Sequence, residues 1–254
     1  MNKVILVGAL GSMGRILAEE ISGDAQLSLA GAVEAQGHQG IGSEIQGVKV
    51  TDSLDELLDR ADVAVDFSAP ENSVRTVEAC ADNGVAAVVG TTGISGRQLS
   101  EMKKRSVEIP LLISPNMSMG VNLLFDLVGE VASVLPDFDI EITEIHHNRK
   151  KDSPSGTAAR IGEIVSSSRE GGRIVHGREG EAGPRSRREI GMHSLRGGDV
   201  TGEHTVIFAG EGERLELVHR AHSRRTFARG TVRAIHFMLK AGPGLYTMHD
   251  ILGL

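Results

Sequence analysis

Short apolar runs alternate with helical spacings through the first third of the chain. The run at 4–7 has the composition of a buried strand; Met13, Ile16, Leu17 and Ile21 follow at helical spacing, and 27–33 forms a second apolar run. This order predicts a βαβ unit. It continues through 63–67, a helix opened by Pro70, a run at 85–89, a helix near 96–106 and a run at 111–113. Strands that are apolar on both faces belong to a parallel sheet covered by helices on both sides.

Beyond Pro115 the pattern changes. A helix carrying Leu124, Val128, Val131 and Leu135 leads into 139–143, where apolar and polar positions alternate as in a sheet with one open face. Val206 and Phe208 match Leu215 and Leu217 across Gly210-Glu211-Gly212, which predicts a hairpin. A second, mixed or antiparallel sheet is therefore expected over about 118–222. The tail returns to a helix with Ala228, Val232, Ile235 and Leu239 on one face, ended by Gly242-Pro243-Gly244. The polar, Gly- and Arg-rich stretch 171–188 reads as a loop. The predicted class is α/β, a Rossmann-like domain with a mostly parallel sheet plus a second α+β domain with a mixed sheet.

Composition narrows the function. The 254 residues carry 27 Lys+Arg against 34 Asp+Glu, a formal charge of −7, with 40% hydrophobic and 24% charged residues. These values fit a packed globular protein and argue against disorder and against a basic nucleic-acid surface. The single cysteine, Cys80, excludes an intrachain disulfide framework and a multi-cysteine metal site, and points to a reducing cytoplasmic setting. No apolar run approaches the ~18 residues of a membrane span. Neither a membrane nor a metal is expected as a partner.

Candidate chemistry begins at Gly8-Ala9-Leu10-Gly11-Ser12-Met13-Gly14, between the first strand and first helix. Glycines there permit a sharp turn, close approach of a pyrophosphate to the backbone, and free amides at a positive helix end. The spacing is G-x-x-G-x-x-G, with Leu10 where a second glycine is usual. Glu34 follows at the end of the second strand, where an acid can bind ribose hydroxyls. Ala35 comes next, and no Arg or Lys follows before Lys49 to meet a 2′-phosphate, which favours NADH over NADPH. Phe67-Ser68, Gly90-Thr91-Thr92-Gly93 and Ser114-Pro115-Asn116-Met117 lie at the carboxyl ends of other strands, the edge where an open α/β sheet binds its ligand.

A second cluster runs from Glu144 to Thr157 and includes His146, His147, Arg149, Lys150 and Lys151. Ser153 and Pro154 suit an N-cap and first helical position, which would leave the amides of Ser155, Gly156 and Thr157 facing an anion such as a carboxylate. A solvated basic loop with two surface histidines is the competing reading. As metal ligands His146 and His147 are poor, because neighbours on a strand face opposite ways. The other histidines, His204 and His219 among them, are read as structural, and Cys80 as a buried small hydrophobe.

These blocks together resemble the dihydrodipicolinate reductase family of diaminopimelate and lysine biosynthesis, over essentially the whole chain. The resemblance rests on GALGSMG at Gly8, GTTG at Gly90, IHHNRKKDSPSGTA from Ile145, RGGDVTGEHTVIF from Arg196 and HRAHSRRTFARGTVRA from His219. It implies a Rossmann-like domain from 1–117 plus 225–254, and a substrate-binding domain at 118–224 that builds a homotetramer through its sheet. It further implies His146 as general acid/base, Lys150 as proton donor or carboxylate partner, and His147, Gly156 and Thr157 as contacts to a cyclic dicarboxylate. On the cofactor side it implies Gly8 to Met13, Glu34, Gly90 to Thr92 and Ser114 to Met117. Ala35 and Ser12, where relatives often carry a cation, again favour NADH. The alternatives left open are a related amino-acid or imine dehydrogenase and a non-catalytic NAD-sensing protein.

Overall fold

The computed structural model describes residues 1–254. In chain order the first elements are β1 (Asn2–Val7), α1 (Ser12–Ser22), β2 (Leu27–Val33), β3 (Glu44–Ile45), β4 (Val48–Thr51), α2 (Asp55–Leu58), β5 (Val63–Asp66), α3 (Pro70–Asp82), β6 (Ala86–Val89), α4 (Gly96–Lys104) and β7 (Pro110–Ile113). There follow α5 (Met119–Val134), β8 (Asp139–His146), α6 (Gly156–Ser167), β9 (Arg173–His176), β10 (Glu189–Arg196), β11 (Gly202–Ala209) and β12 (Arg214–Ala221). The chain ends with α7 (Arg225–Met238), β13 (Gly244–Tyr246) and α8 (Met248–Leu252). Two compact units result, Met1–Met119 with Arg224–Leu254, and Gly120–Ser223.

The first unit is an eight-stranded sheet in the order β13-β7-β6-β5-β1-β2-β4-β3, parallel except for the β3–β4 edge pair. Both faces are covered, as the uninterrupted apolar strands require. Alternate residues of β1 divide between two cores. Val4 and Leu6 join Leu17 and Ile21 of α1 and Ile235 and Met238 of α7, while Ile5 and Val7 join Val77 and Cys80 of α3 and Met102 of α4. Period-two alternation on a doubly buried strand is what splits them.

Helix α7 ends before Gly242-Pro243-Gly244, as expected, and the tail then adds an element that the sequence did not predict. Gly244–Tyr246 is a strand that pairs in parallel with β7, so the last glycine of that segment also opens an edge strand. Three residues carry too little periodicity to be read as a strand. Helix α7 also lies hard against the turn after β7. A Cβ at Gly230 would stand 1.8 Å from the carbonyl oxygen of Met117.

The second unit has the order β12-β11-β8-β10-β9, with β8, β9 and β10 parallel and β11 antiparallel to both of its neighbours. The predicted hairpin register holds, with Val206 opposite Leu217 and Phe208 opposite Leu215. Ile140, Ile142, Ile190, Met192, Val206 and Phe208 form the core with Leu124 and Val128 of α5 and Ile161 and Val165 of α6. The other face carries Thr143, Ile145, His193, Leu195, Thr205 and Val218. The stretch 171–188 is not wholly a loop, because β9 adds four residues of parallel strand beside β10. Its arginines are ordered by carboxylates: Arg178 bonds Glu141 at 2.7 Å and Arg185 pairs with Asp139.

Gly230→Ala is expected to lower stability by about 1–3 kcal/mol, since backbone rather than a flexible side chain occupies the space a methyl group would need. Urea denaturation of the variant beside the parent checks this, and an unchanged midpoint contradicts it.

Candidate active site

Two loci carry chemistry, one in each unit. In the first, the carboxyl ends of β1, β2 and β5 border a cleft of about 780 Å³, a volume in the range of small-molecule and cofactor sites. Gly8, Leu10, Gly11, Glu34, Ala35 and Phe67 line it, together with His38, Asp52, Asp55 and Arg75. The glycines are required by contact distances. A Cβ at Gly14 would lie 2.1 Å from the Gly8 carbonyl oxygen, and one at Gly8, where φ is +78°, would lie 2.5 Å from that of Phe67. Gly11 is the N-cap of α1 and no side chain caps that end, so the first amides of the helix are available to a phosphate. The Glu34 carboxylate accepts a 2.6 Å hydrogen bond from the Leu10 amide. That bond ties the strand-end acid to the glycine loop. These residues fit a dinucleotide.

Asp66, the last residue of β5, is fully buried and orders two of the predicted loops. Its Oδ1 accepts from the Ser68 amide at 2.9 Å, Ser68 Oγ at 2.7 Å, Ser73 Oγ at 3.0 Å and Thr91 Oγ1 at 2.9 Å. Oδ2 has no partner. Gly90 lies under Phe67, whose ring would stand 2.1 Å from an added Cβ, and Thr92 follows at the surface of the same turn. At the end of β7, Ser114 Oγ donates to the Asn116 carbonyl at 2.8 Å. Burial, followed by the charge of Asp66, pushes the Cys80 thiol up to about 12, which makes it unreactive.

Several expected cofactor contacts are qualified. Met117 is 1% exposed and belongs to the core, so only its backbone can meet a ligand. Ala9 is likewise fully buried, and Ser12 and Met13 are the first residues of α1 rather than loop. Lys49 pairs across the β3–β4 ribbon with Glu44 and is not among the cleft residues. Arg75, on α3, is there instead. Sequence proximity to Glu34 could not reveal a cation delivered by a later helix.

In the second unit, strand register assembles the site. Glu144 stands opposite Ser194 on β10 and His204 on β11, and His146 stands opposite Arg196, all toward the helix-covered face at one end of the sheet. His146 Nδ1 lies 2.6 Å from Glu144 Oε2. Arg196 grips the same carboxylate with two 2.9 Å bonds, and the Ser155 amide reaches Oε1 at 3.1 Å. His204 meets His146 edge-on, with ring centroids 5.3 Å apart. Gly202 leaves the room the imidazole needs, for a Cβ there would lie 2.9 Å from His146 Nε2. The turn after β8 is closed by His147 and Asn148 amides bonding the carbonyls of Val200 and Gly198.

The helix start differs from expectation. The N-cap of α6 is Ser155, whose hydroxyl accepts from the Ala158 amide at 3.2 Å, so Pro154 precedes the helix; the Ser153–Pro154 peptide is cis. Ser155 is 2% exposed, and both its amide and its hydroxyl are engaged within the chain. It is a structural cap rather than a ligand contact. Gly156 and Thr157 open the first turn, and nothing lies within 4 Å of the position a Cβ at Gly156 would take. Lys150 is paired with Asp152, at 2.8 Å to both carboxylate oxygens.

The electrostatics follow from burial. Desolvation opposes the charge of Glu144, but hydrogen bonds from Arg196, His146 and Ser194 outweigh it and hold the carboxyl below its ordinary range. Desolvation likewise lowers His146, with Glu144 acting against the shift. His204 is pushed down to about 3, first by burial and then by His146. Glu144 heads the second cluster read from the sequence without a role assigned to it, and Arg196 and His204 lie outside both candidate clusters. The i, i+2 spacing of Glu144 and His146 was the available signal once β8 is extended to His146.

A parallel α/β sheet with a glycine-rich first turn and a strand-end acid, accompanied by a histidine–carboxylate cluster, defines a dinucleotide-dependent reductase. Models of the dihydrodipicolinate reductase N-terminus and C-terminus match residues 2–117 and 120–252. The chain is 47% identical to 4-hydroxy-tetrahydrodipicolinate reductase of an Anaeromyxobacter species, covering 100% of this chain and 98% of that one. It is 43% identical to the Citrifermentans bemidjiense enzyme of the same name, covering 100% of both. Among solved structures, dipicolinate-bound dihydrodipicolinate reductase from Paenisporosarcina sp. superposes with a TM-score of 0.83 at 24% identity, covering 98% of each chain. The chain belongs to the dihydrodipicolinate reductase family, NAD(P)H-dependent oxidoreductases of diaminopimelate and lysine biosynthesis. No helix is long and apolar enough to cross a membrane.

The depressed value of His204 sets a pH dependence. The unfolded chain binds this proton near pH ~6.5, whereas the folded protein resists it down to about 3. The contribution to stability is therefore complete above the unfolded value and is lost as pH falls through that window. NMR titration is expected to show His204 neutral at pH 5, when exposed histidines have titrated. An ordinary midpoint near 6.5 contradicts the assignment.

Proposed function

We propose that the first unit binds NADH in preference to NADPH and that the second binds the cyclic dicarboxylate 4-hydroxy-tetrahydrodipicolinate, with His146 handling the proton of its reduction to tetrahydrodipicolinate. The observation that carries this reading is the His146–Glu144 pair at 2.6 Å beside Lys150 and the start of α6. When bound, the nicotinamide supplies a hydride from C4. The overall change consumes that hydride and one proton and releases the substrate hydroxyl as water. His146 is the group able to exchange the proton: its Nδ1 is committed to Glu144, and Nε2 has no hydrogen bond within the chain. A general acid of near-neutral character suits protonation of a ring carbon.

A dianionic substrate needs two anion partners. The exposed Gly156 and the adjoining Thr157 offer a helix N-terminus for one carboxylate. Lys150 is the cation for the other. Its present partner Asp152 is 61% exposed while Lys150 itself is 19% exposed, so Asp152 can return to water when a substrate carboxylate takes its place and keeps the ammonium paired. His147 adds a substrate contact from the same turn, and the Paenisporosarcina relative was solved with dipicolinate bound. Residues Gly8 to Met13, Glu34, Phe67, Gly90 to Thr92 and Ser114 to Met117 would hold the dinucleotide, with Ala9 and Met117 contributing backbone alone.

NADH preference follows from the charges in the cleft. Glu34, Asp52 and Asp55 line it against a single arginine, Arg75, and Ala35 supplies no cation beside Glu34. A 2′-phosphate there meets like charge. Further parts of the reading are a cytoplasmic location and a homotetramer joined through the open sheet face of the second unit, where Leu195 is 45% and Val218 40% exposed.

His146→Gln is expected to lower kcat by ~10²-fold or more while leaving NADH affinity unchanged. Lys150→Ala should do comparable damage and also weaken inhibition by pyridine-2,6-dicarboxylate. Full activity of the first variant, or unaltered inhibition of the second, defeats the respective assignment.

Ala35→Arg is expected to shift preference toward NADPH by roughly 1 to 2 kcal/mol through a charge-assisted hydrogen bond. Steady-state kcat/KM with both cofactors reads this out. A parent enzyme tenfold better with NADPH overturns the preference and points to Arg75 as the phosphate partner.

A further inference from the structure

His146 does not stand alone, and the group behind it carries more than packing. Glu144 is fully buried, and hydrogen bonds reach both of its oxygens. Oε2 takes His146 Nδ1 at 2.6 Å and Arg196 Nη1 at 2.9 Å, while Oε1 takes Arg196 Nη2 at 2.9 Å and the Ser155 amide at 3.1 Å. The same Arg196 Nη2 continues to the carbonyl of Asp152 at 2.7 Å. One carboxylate thus joins the imidazole, the cap of α6 and, through Arg196, the loop that carries Lys150.

Protonation states follow from donor counting. Arg196 is a permanent cation with no acceptor capacity, so a carboxyl that it grips in two-pronged fashion is ionised. An ionised carboxylate can only accept. The proton in the 2.6 Å contact therefore belongs to His146 Nδ1. In the neutral imidazole this leaves Nε2 as a bare lone pair, the atom that gains and loses the catalytic proton.

We propose that Glu144 is the positioning residue of the proton-transfer site: held ionised by Arg196, it fixes His146 as the Nδ1–H tautomer and stabilises its protonated form. The proposal rests on the assignment of His146 above. Carboxylates that orient a working imidazole act in this way at metal and nucleophile sites, where removing such an outer partner typically costs 10–100-fold. The groups facing His146 are Glu144 on its own strand, Lys150 and Asp152 in the following loop, Arg196 on β10 and His204 on β11. His219, on β12, stands behind His204. Glu144 is the buried anion among them, so it governs the ease with which the ring takes up a proton.

The direct test is nitrogen-15 NMR of the histidine rings in the unmodified protein. The neutral ring of His146 is expected as the Nδ1–H tautomer, and an Nε2–H ring overturns the proposal. This measurement needs no substitution, so it stands whatever the stability of the variants. In Glu144→Gln, kcat is expected to fall 10–100-fold, with KM for NADH held within about twofold because the dinucleotide residues lie in the other unit. The limb of the pH–rate profile set by His146 should move to lower pH in that variant, since an anion that favoured the imidazolium is gone. A loss of rate in Glu144→Gln with that limb not displaced marks Glu144 as a packing element and overturns the proposal. Full activity in His146→Gln would instead remove the assignment on which it rests, a result the tautomer measurement cannot produce.

Discussion

A carboxylate withdrawn from water costs several kcal/mol unless its oxygens find donors, and this chain buries one completely in each unit. Asp66 ends β5 in the first unit and Glu144 lies near the end of β8 in the second. Each forces surrounding loops to converge. Ser68, Ser73 and Thr91 must present hydroxyls to Asp66, which fixes the turns after β5 and β6. Arg196, His146 and the Ser155 amide must present N–H groups to Glu144, which fixes the end of β10 and the cap of α6. The loops so fixed are those that carry the chemistry, at the carboxyl edges of the central parallel strands.

Much of this architecture was legible because periodicity reports burial. The 4–7 and 63–67 runs read as doubly buried strands, and the Val206–Leu217 and Phe208–Leu215 matches emerge in the observed register. What escaped was short or non-local. Strand β13 has three residues, and β9 lies inside a Gly- and Arg-rich stretch whose order depends on carboxylates from β8 and β10. The α6 start was misplaced by two residues because Ser153-Pro154 has the composition of a cap and first helical position, whereas Glu144 takes the Ser155 amide and makes Ser155 the cap. The distant partner decided the local outcome.

The candidate site divides in the same way. His146, Lys150 and Gly156 belong to one continuous segment and could be found by reading along it. Arg196 and His204 reach it from β10 and β11, and Arg75 reaches the dinucleotide cleft from α3, contributions that only strand register and helix placement disclose. Histidines scattered in sequence looked structural for that reason. His204 is still largely structural in character, because burial keeps it neutral, yet its place against His146 makes it part of the electrostatic surroundings of that imidazole.

Charge placement gives an acidic protein a local concentration of cations. The net charge of −7 is not spread evenly. Arg149, Lys150 and Lys151 follow one another in the segment between β8 and α6, and two cations at this end of the second sheet are paired in different ways: Arg196 with the buried Glu144, and Lys150 with the exposed Asp152. The difference in burial sets the difference in function. A cation clamped on a buried carboxylate is a fixed part of the scaffold, because removing either partner strands the other's charge away from water. Lys150 is as withdrawn from water as Arg196, but its partner Asp152 is exposed and can return to solvent when another anion takes its place, so that pair can be exchanged where the Arg196–Glu144 pair cannot.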